Sequence, residues 1–186
     1  MKRIFDFLFS ISLLIALFFP MILIAIMIRI DSKGPIIYWS RRIGHKDKVF
    51  KMPKFRTMQV DSPVIATHIM ENPNLYISSI GGVLRRYSLD EIPQLFSIFK
   101  GDMSFVGPRP ALFNQDDLIY LRKQKGVNQL IPGLTGWAQI NGRDEISITE
   151  KVNFDVEYLQ QKSFLFDLKI VWKTLVKVIS KESVIH

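Results

Sequence analysis

One stretch near the start dominates the polarity pattern of this chain. From Phe7 to Ile28 no charged residue occurs. At about 1.5 Å per residue, such a helix is long enough for a hydrocarbon core of roughly 30 Å. A secretory signal does not fit, because the run is too long and no A-x-A-like cleavage site follows it. A buried core helix fits poorly too, since a segment apolar all round needs protein on every side and this chain is short. Pro20 sits inside the stretch, where it removes a backbone bond and kinks or breaks a helix. Lys2 and Arg3 precede the stretch, and Arg29, Lys33, Arg41 and Arg42 follow it. Basic flanks on both sides leave two topologies open. A straight span favours the more basic C-terminal flank in the cytoplasm, whereas a helix that enters and returns leaves both flanks there.

Beyond the apolar stretch the pattern shortens. Asp31 to Pro35 reads as a turn. Ile36–Trp39 and Lys48–Phe55 read as short strands, with Pro53 placing the second at an edge. Val60 to Ser79 is polar and irregular. Leu89–Phe99 predicts a helix closed by Gly101, and Leu112–Lys125 one closed by Gly126. Thr149–Gln161 is a third helix. Ser163–Ser180 is the clearest amphipathic one, with Lys169, Lys173 and Lys177 in one stripe and Leu168, Trp172, Leu175 and Val176 beside it. It reads either as a surface helix on a globular core or as one lying in a headgroup layer.

Charge and composition narrow the partners. The chain has 186 residues, enough for one ordinary domain, and a formal net charge of +8. Seven basic residues fall between Arg41 and Arg56. Such a patch suits nucleic acid, anionic lipid or an anionic substrate. No nucleic-acid module signature accompanies it, so headgroups and a nucleotide-linked substrate are the better match. Cysteine is absent, which excludes disulfides, thiolate nucleophiles and Cys-ligated metals. His45, His68 and His186 are scattered and carry no metal-site spacing.

The chemistry concentrates between Ser88 and Pro110. Asp90 and Glu91 are adjacent carboxylates, and Arg109 is fixed between Pro108 and Pro110. Adjacent acids can share a divalent cation, and an arginine on a stiff loop suits a phosphate oxygen. The competing reading is a capping box, S-x-x-E from Ser88 to Glu91. Pro93 opposes that register, because it would be the fifth helical residue. In either register the acids start a helix, which favours their ionised forms and attracts phosphate. Mg²⁺ suits two carboxylates facing a diphosphate. Asp102 more plausibly makes a turn with Gly101. Of Arg85 and Arg86, one is expected to face phosphate and the other solvent or lipid. Lys54 and Arg56 are further phosphate ligands or a basic strand facing headgroups. Arg143 closes an N-G-R turn, and the glycines between Pro132 and Gly142 would let backbone approach a nucleotide or sugar.

Four segments together resemble the bacterial sugar transferases, the small monotopic polyprenyl-phosphate phosphoglycosyl transferases. They are K-F-R-T-M (Lys54–Met58), S-L-D-E-I-P-Q-L (Ser88–Leu95), K-G-D-M-S-F-V-G-P-R-P (Lys100–Pro110) and P-G-L-T-G-W-A-Q-I-N-G-R (Pro132–Arg143). Asp155 and Tyr158 match a further D-x-x-Y element, for which a plain helix-surface role is the safer expectation. The resemblance implies a mostly α fold with a few short strands (α+β). Residues 1–33 would form a re-entrant membrane helix, and 34–186 a compact cytoplasmic catalytic domain with interfacial amphipathic helices. Implied substrates are a UDP-sugar and a polyprenol phosphate, undecaprenyl phosphate in a bacterium, at the cytoplasmic face of the inner membrane among phospholipids. Asp90 would attack the sugar-side phosphorus, UMP would leave, and the phosphosugar would pass from an aspartyl intermediate to the lipid. Glu91 would help Asp90 hold Mg²⁺, and Arg85, Arg109 and Arg143 would neutralise phosphate. Lys54 belongs to the same phosphate-binding set, no nucleic acid is implied, and a homodimer is left open. One departure stands out: the family's Ser-Pro at the helix break is Phe19-Pro20 here. A non-catalytic membrane adaptor with a basic lipid-binding face is the alternative.

Overall fold

A computed structural model describes residues 2–63, 75–142 and 146–179. Its elements are mostly helical, with a few short strands, as the sequence predicts. The apolar stretch is two helices, α1 (Lys2–Ala16) and α2 (Phe18–Asp31), bent by 60°. The break falls at Leu17 and not at Pro20. Pro20 is the third residue of α2, where a missing N–H costs little. α-type bonds continue on both sides, from Leu17 N to the Leu13 carbonyl and from Met21 N to the Leu17 carbonyl. Ser10 and Ser12 do not serve the break; their hydroxyls donate back to the Phe7 and Leu8 carbonyls. Among the described residues no single helix is long and apolar enough to cross a membrane, but the bent pair passes together.

Both ends of this bent helix pair are fastened to one body. Arg3 donates to the Ile98 and Phe99 carbonyls, and Asp6, buried, accepts from the Phe105 amide. At the far end Ile24 and Ile28 are buried against Phe55 and Leu84. Asp31 accepts from the Ile80 amide, and Arg56 donates to the Ser32 and Lys33 carbonyls. The bend leaves Phe18 and Phe19 exposed, with Leu23 and Ile26 beyond them.

β1 (Ile37–Ile43) and β2 (Val49–Phe55) pair antiparallel, with Trp39 opposite Pro53. Both are edge strands of a two-stranded sheet, which is why Pro53 is tolerated. α3 (Ser79–Arg86) follows, capped by Ser78, whose hydroxyl accepts from Gly81 N. The sequence pattern did not predict α3, because Gly81 and Gly82 weaken a helical reading. Gly81 is needed there: a β-carbon would overlap the Thr57 backbone.

The predicted helix Leu89–Phe99 is two pieces. Leu89–Gln94 is a 3₁₀-helix, and only Leu95–Lys100 is α-helical (α4), closed by Gly101 at φ 96°. Pro93 lies inside the first piece, where an α-turn would set its ring against an earlier carbonyl. The predicted helix from Leu112 begins only at Asp116 (α5, Asp116–Gln124), since Leu112 N is taken by the Gln115 side chain. Two short strands that the sequence did not announce, β3 (Ser104–Val106) and β4 (Gly133–Thr135), pair in parallel. The chain closes with α6 (Trp137–Ile140), α7 (Ile148–Gln161) and α8 (Phe164–Ile179). Ile98, Met103, Phe105, Ile140, Tyr158 and Ile170 form the central core. α8 buries Ile170 and exposes Leu165, Trp172 and Leu175.

Candidate active site

The site grows from the 3₁₀-helix. Ser88 takes the left-handed conformation (φ 54°) and makes no side-chain cap. Glu91 N reaches the Ser88 carbonyl, but the Glu91 side chain turns away from it. The capping box at Ser88–Glu91 therefore does not form. The same S-x-x-E pattern does form one at Ser147–Glu150, where both reciprocal bonds are present and start α7. One motif thus has two outcomes, and the partners available to the glutamate decide which.

At the site those partners are cations. Glu91 Oε1 accepts from Lys54 Nζ at 2.8 Å and from Arg109 Nη2 at 2.9 Å. Lys54 comes from β2 and Arg109 from the loop after β3. Asp90 lies 3.8 Å from Lys54 Nζ, too far for a hydrogen bond, and has no hydrogen-bonding partner among the described residues. It is nevertheless only 8% exposed. Burial pushes the Asp90 carboxyl up, Lys54 pulls it back, and Glu91 raises it further. Burial also opposes Glu91's charge, but Arg109 and Lys54 together hold it well below the usual carboxylate range. Burial pulls Lys54 down against the two acids. Environment has pushed two neighbouring acids in opposite directions, an arrangement typical of sites that assign them different roles.

These groups open onto a cavity of about 610 Å³. Asp90, Glu91, Lys54, Arg85 and Arg109 all line it, so the fold unites five of the residues singled out in the sequence. Arg85 donates from Nε to Thr57 Oγ1, while Arg86 is exposed. Burial lowers the Arg85 pKa, and Asp90 opposes that. Arg56 also borders the cavity, but its Nη atoms hold the end of α2. Arg143 lies outside the described residues. Pro20 is far along the chain in the bent helix pair and takes no part. Arg42 and Arg122 line the cavity as well, and sequence reading assigned them no role. Arg42 was hidden in the basic run. Arg122 had a legible signal, a cation one turn after Leu118 on the buried face of α5.

Three expectations are corrected. Asp155 and Tyr158 are not helix-surface residues: they are 1% and 3% exposed. Asp155 pairs with Arg122 at 2.7 Å, and burial still raises its pKa against that cation. The two glycines of P-G-L-T-G do not reserve space for a nucleotide. β-carbons on Gly133 and Gly136 would overlap the Gly107 backbone, so they allow the loop carrying Arg109 to lie against β4. The basic run does not act as one patch. Arg41, Lys46, Lys48 and Lys51 are exposed, and Lys54 and Arg56 turn inward.

A divalent cation is compatible with the donor set. Asp90 and Glu91 offer hard carboxylate oxygens, and among the described residues Asp90 takes no hydrogen bond. Among the described residues no cluster of three or more His, Cys, Asp or Glu side chains exists. An ion here would complete its shell with water and substrate phosphate, the habit of Mg²⁺.

A cavity lined by paired carboxylates, several guanidinium groups and a lysine suits an anionic ligand. Sequence comparison agrees. Residues 1–181 match the family model for bacterial sugar transferases. The exopolysaccharide production protein ExoY of Sinorhizobium fredii is 40% identical over 94% of this chain and 83% of its own length. A Bacillus subtilis protein named as an uncharacterized sugar transferase, EpsL, is 37% identical over 99% and 90%. The UDP-glucose:undecaprenyl-phosphate glucose-1-phosphate transferase of Escherichia coli is 39% identical over 83% of this chain but only 35% of its own length. The chain belongs to the bacterial sugar transferase family and is an enzyme, a transferase of that family.

Proposed function

We propose that this protein transfers a sugar-1-phosphate from a UDP-sugar to a polyprenol phosphate at the cytoplasmic face of a bacterial inner membrane. The observation that carries the reading is Asp90: buried, without a hydrogen bond among the described residues, beside a cation and open to the cavity. Its ion pair with Lys54 is long, at 3.8 Å, and burial disfavours its charge. An acid kept at such a cost suits a nucleophile.

In this mechanism an Asp90 oxygen attacks the phosphorus next to the sugar. The bond to the bridging oxygen breaks, its electron pair goes to UMP, and a phosphosugar-aspartyl mixed anhydride (an acyl phosphate) remains. A polyprenyl-phosphate oxygen then attacks the same phosphorus. The Asp90–phosphorus bond breaks, the carboxylate is restored, and polyprenyl-diphosphate-sugar leaves. Two half-reactions let a soluble and a lipid substrate use one cavity in turn. Arg109 and Arg85 neutralise phosphate oxygens, and Lys54 keeps a positive charge at the acids. Bound Mg²⁺ on Asp90 and Glu91 would supply further charge neutralisation for the diphosphate.

The bent helix pair supports a re-entrant membrane insertion. Both its ends are fastened to the body that carries the site, the arrangement such an insertion needs. Exposed apolar residues on α8 suit the interfacial layer beside it. The test is UMP release from a panel of UDP-sugars with undecaprenyl phosphate in lipid discs. Release with one UDP-sugar and formation of the lipid product support the reaction. Absence of UMP across the panel would return the chain to the adaptor reading.

A further inference from the structure

The D-x-x-Y pair on α7 is buried yet touches no part of the reaction directly. Asp155 and Tyr158 are three residues apart and share a helix face. Asp155 accepts from Arg122 Nε at 2.9 Å and Nη2 at 2.7 Å. Arg122 Nη1 in turn donates to the carbonyl of Arg109 at 2.7 Å. The Tyr158 hydroxyl accepts from Lys2 Nζ at 2.8 Å and donates to Asp167 at 2.7 Å. Lys2 Nζ donates to the Val106 carbonyl at 2.9 Å, and the Tyr158 oxygen lies 3.3 Å from that same carbonyl. The two residues thus act on the two ends of one short loop, Val106 to Arg109.

Between those ends, and one residue past them, backbone bonds tie the loop down at Gly107, Pro108 and Pro110. Gly107 N donates to the Thr135 carbonyl, and the Pro108 carbonyl accepts from Gly133 N, both at 2.9 Å. The Pro110 carbonyl accepts from Arg42 Nη1 at 3.0 Å. Such a run fixes the backbone from which the Arg109 side chain reaches Glu91.

We propose that Asp155 and Tyr158 are positioning residues: through Arg122 and Lys2 they hold the loop that presents Arg109 to the cavity. The inference rests on the reading of Arg109 as a phosphate ligand. It adds that the first turn of α1 contributes, through Lys2, to the order of a catalytic loop.

Two measurements on the full chain in lipid discs test this. The first is hydrogen exchange of peptides covering residues 104–110, which needs no substrate. Asp155→Asn and Tyr158→Phe should speed exchange there while leaving β1 and β2 unchanged. Arg109→Ala should not, because it removes what the loop presents and not what holds the loop. Unchanged loop exchange in Tyr158→Phe, which keeps the ring against Phe166 and so retains the fold, would overturn the proposal.

The second is a double-mutant cycle on UMP release from UDP-glucose, or from the panel member with the highest parental turnover. Each positioning variant should lower kcat/KM by up to about a hundredfold. Added to Arg109→Ala, each should cost no more than about a further twofold, because the group being positioned is gone. Losses that multiply in full would show a merely structural role and overturn it. If Asp155→Asn does not fold, the Tyr158→Phe cycle decides. A parent that releases no UMP from any UDP-sugar would sink the proposed reaction, and loop exchange would still decide the positioning.

Discussion

Replacing Asp90 with asparagine should inactivate the protein and, at neutral pH, make it more stable. Among the described residues the carboxylate has no hydrogen bond to lose, and Lys54 Nζ is 3.8 Å away. At an effective dielectric of about 20 that attraction is about 4 kcal/mol. Against it stand several kcal/mol of desolvation per buried ion and the repulsion of Glu91. The balance is unfavourable to the charge, since burial raises the pKa despite Lys54. Asparagine keeps the shape, and Lys54 keeps its 2.8 Å bond to Glu91. Relief of a destabilised functional group typically returns about 0.5–2 kcal/mol, which for a chain this size is a melting-point rise of roughly 2–4 °C per kcal/mol. The sign follows from linkage. With a folded-state pKa above the unfolded one, the unfolded chain ionises first as pH rises, and the penalty is complete above the folded value. The gap between variant and parent should therefore be present at pH 7 and close as pH falls below the unfolded carboxyl value. Thermal melts in chelator across that range measure it. UMP release should fall at least about a thousandfold, and intact-mass analysis with UDP-sugar alone should show a phosphosugar adduct on the parent only. A melting point several degrees below the parent's would mean that Asp90 is a structural cap. Near-parental turnover would remove it as nucleophile.

Activity should require a divalent cation, with Mg²⁺ preferred over Ca²⁺; full turnover in excess chelator would contradict this. Glu91→Gln should weaken metal dependence of turnover more than it weakens folding, read by metal titration beside thermal melts. Because Arg109 and Lys54 depress the Glu91 pKa, its stabilising contribution is present above the ordinary glutamate value and is lost as pH falls through the lower folded one. Parent and Glu91→Gln melting points should converge only in strong acid, and convergence already at pH 5 would refute the pairing. Cysteines introduced at residue 33 and ahead of Lys2 should both resist an impermeant thiol reagent applied to whole cells; labelling of the first-residue site would show a spanning helix.

The local pattern decided much of this protein. The uncharged Phe7–Ile28 stretch, the edge strand with Pro53, the glycine stop at Gly101 and the helix from Ile148 are consequences of short-range chemistry, and they appear close to their predicted places. Arg109 was legible because it stands between two prolines, and Asp90 and Glu91 as adjacent acids inside a segment that resembles a family signature. Pro20 was legible as a disturbance, but where the helix breaks was not. Proline is accommodated in the first turn of the following helix, so the break moves to Leu17.

Other features needed the tertiary structure. S-x-x-E closes a capping box at Ser147, yet at Ser88 it sends Glu91 to Lys54 and Arg109, because only there do β2 and the loop after β3 bring two cations within reach. Strands β3 and β4, with three residues each, are too short to carry a period, and their parallel pairing depends on glycines that admit close backbone approach. The burial of Asp155 and Tyr158 was invisible for the same reason. Whether an acid or a phenol on an amphipathic helix faces water or a partner is set by what folds against it. Here that is Arg122 from α5 and Lys2 from the far end of the chain. Sequence fixes which groups are present and which local shapes they prefer; long-range packing fixes which charges meet and what each costs to bury.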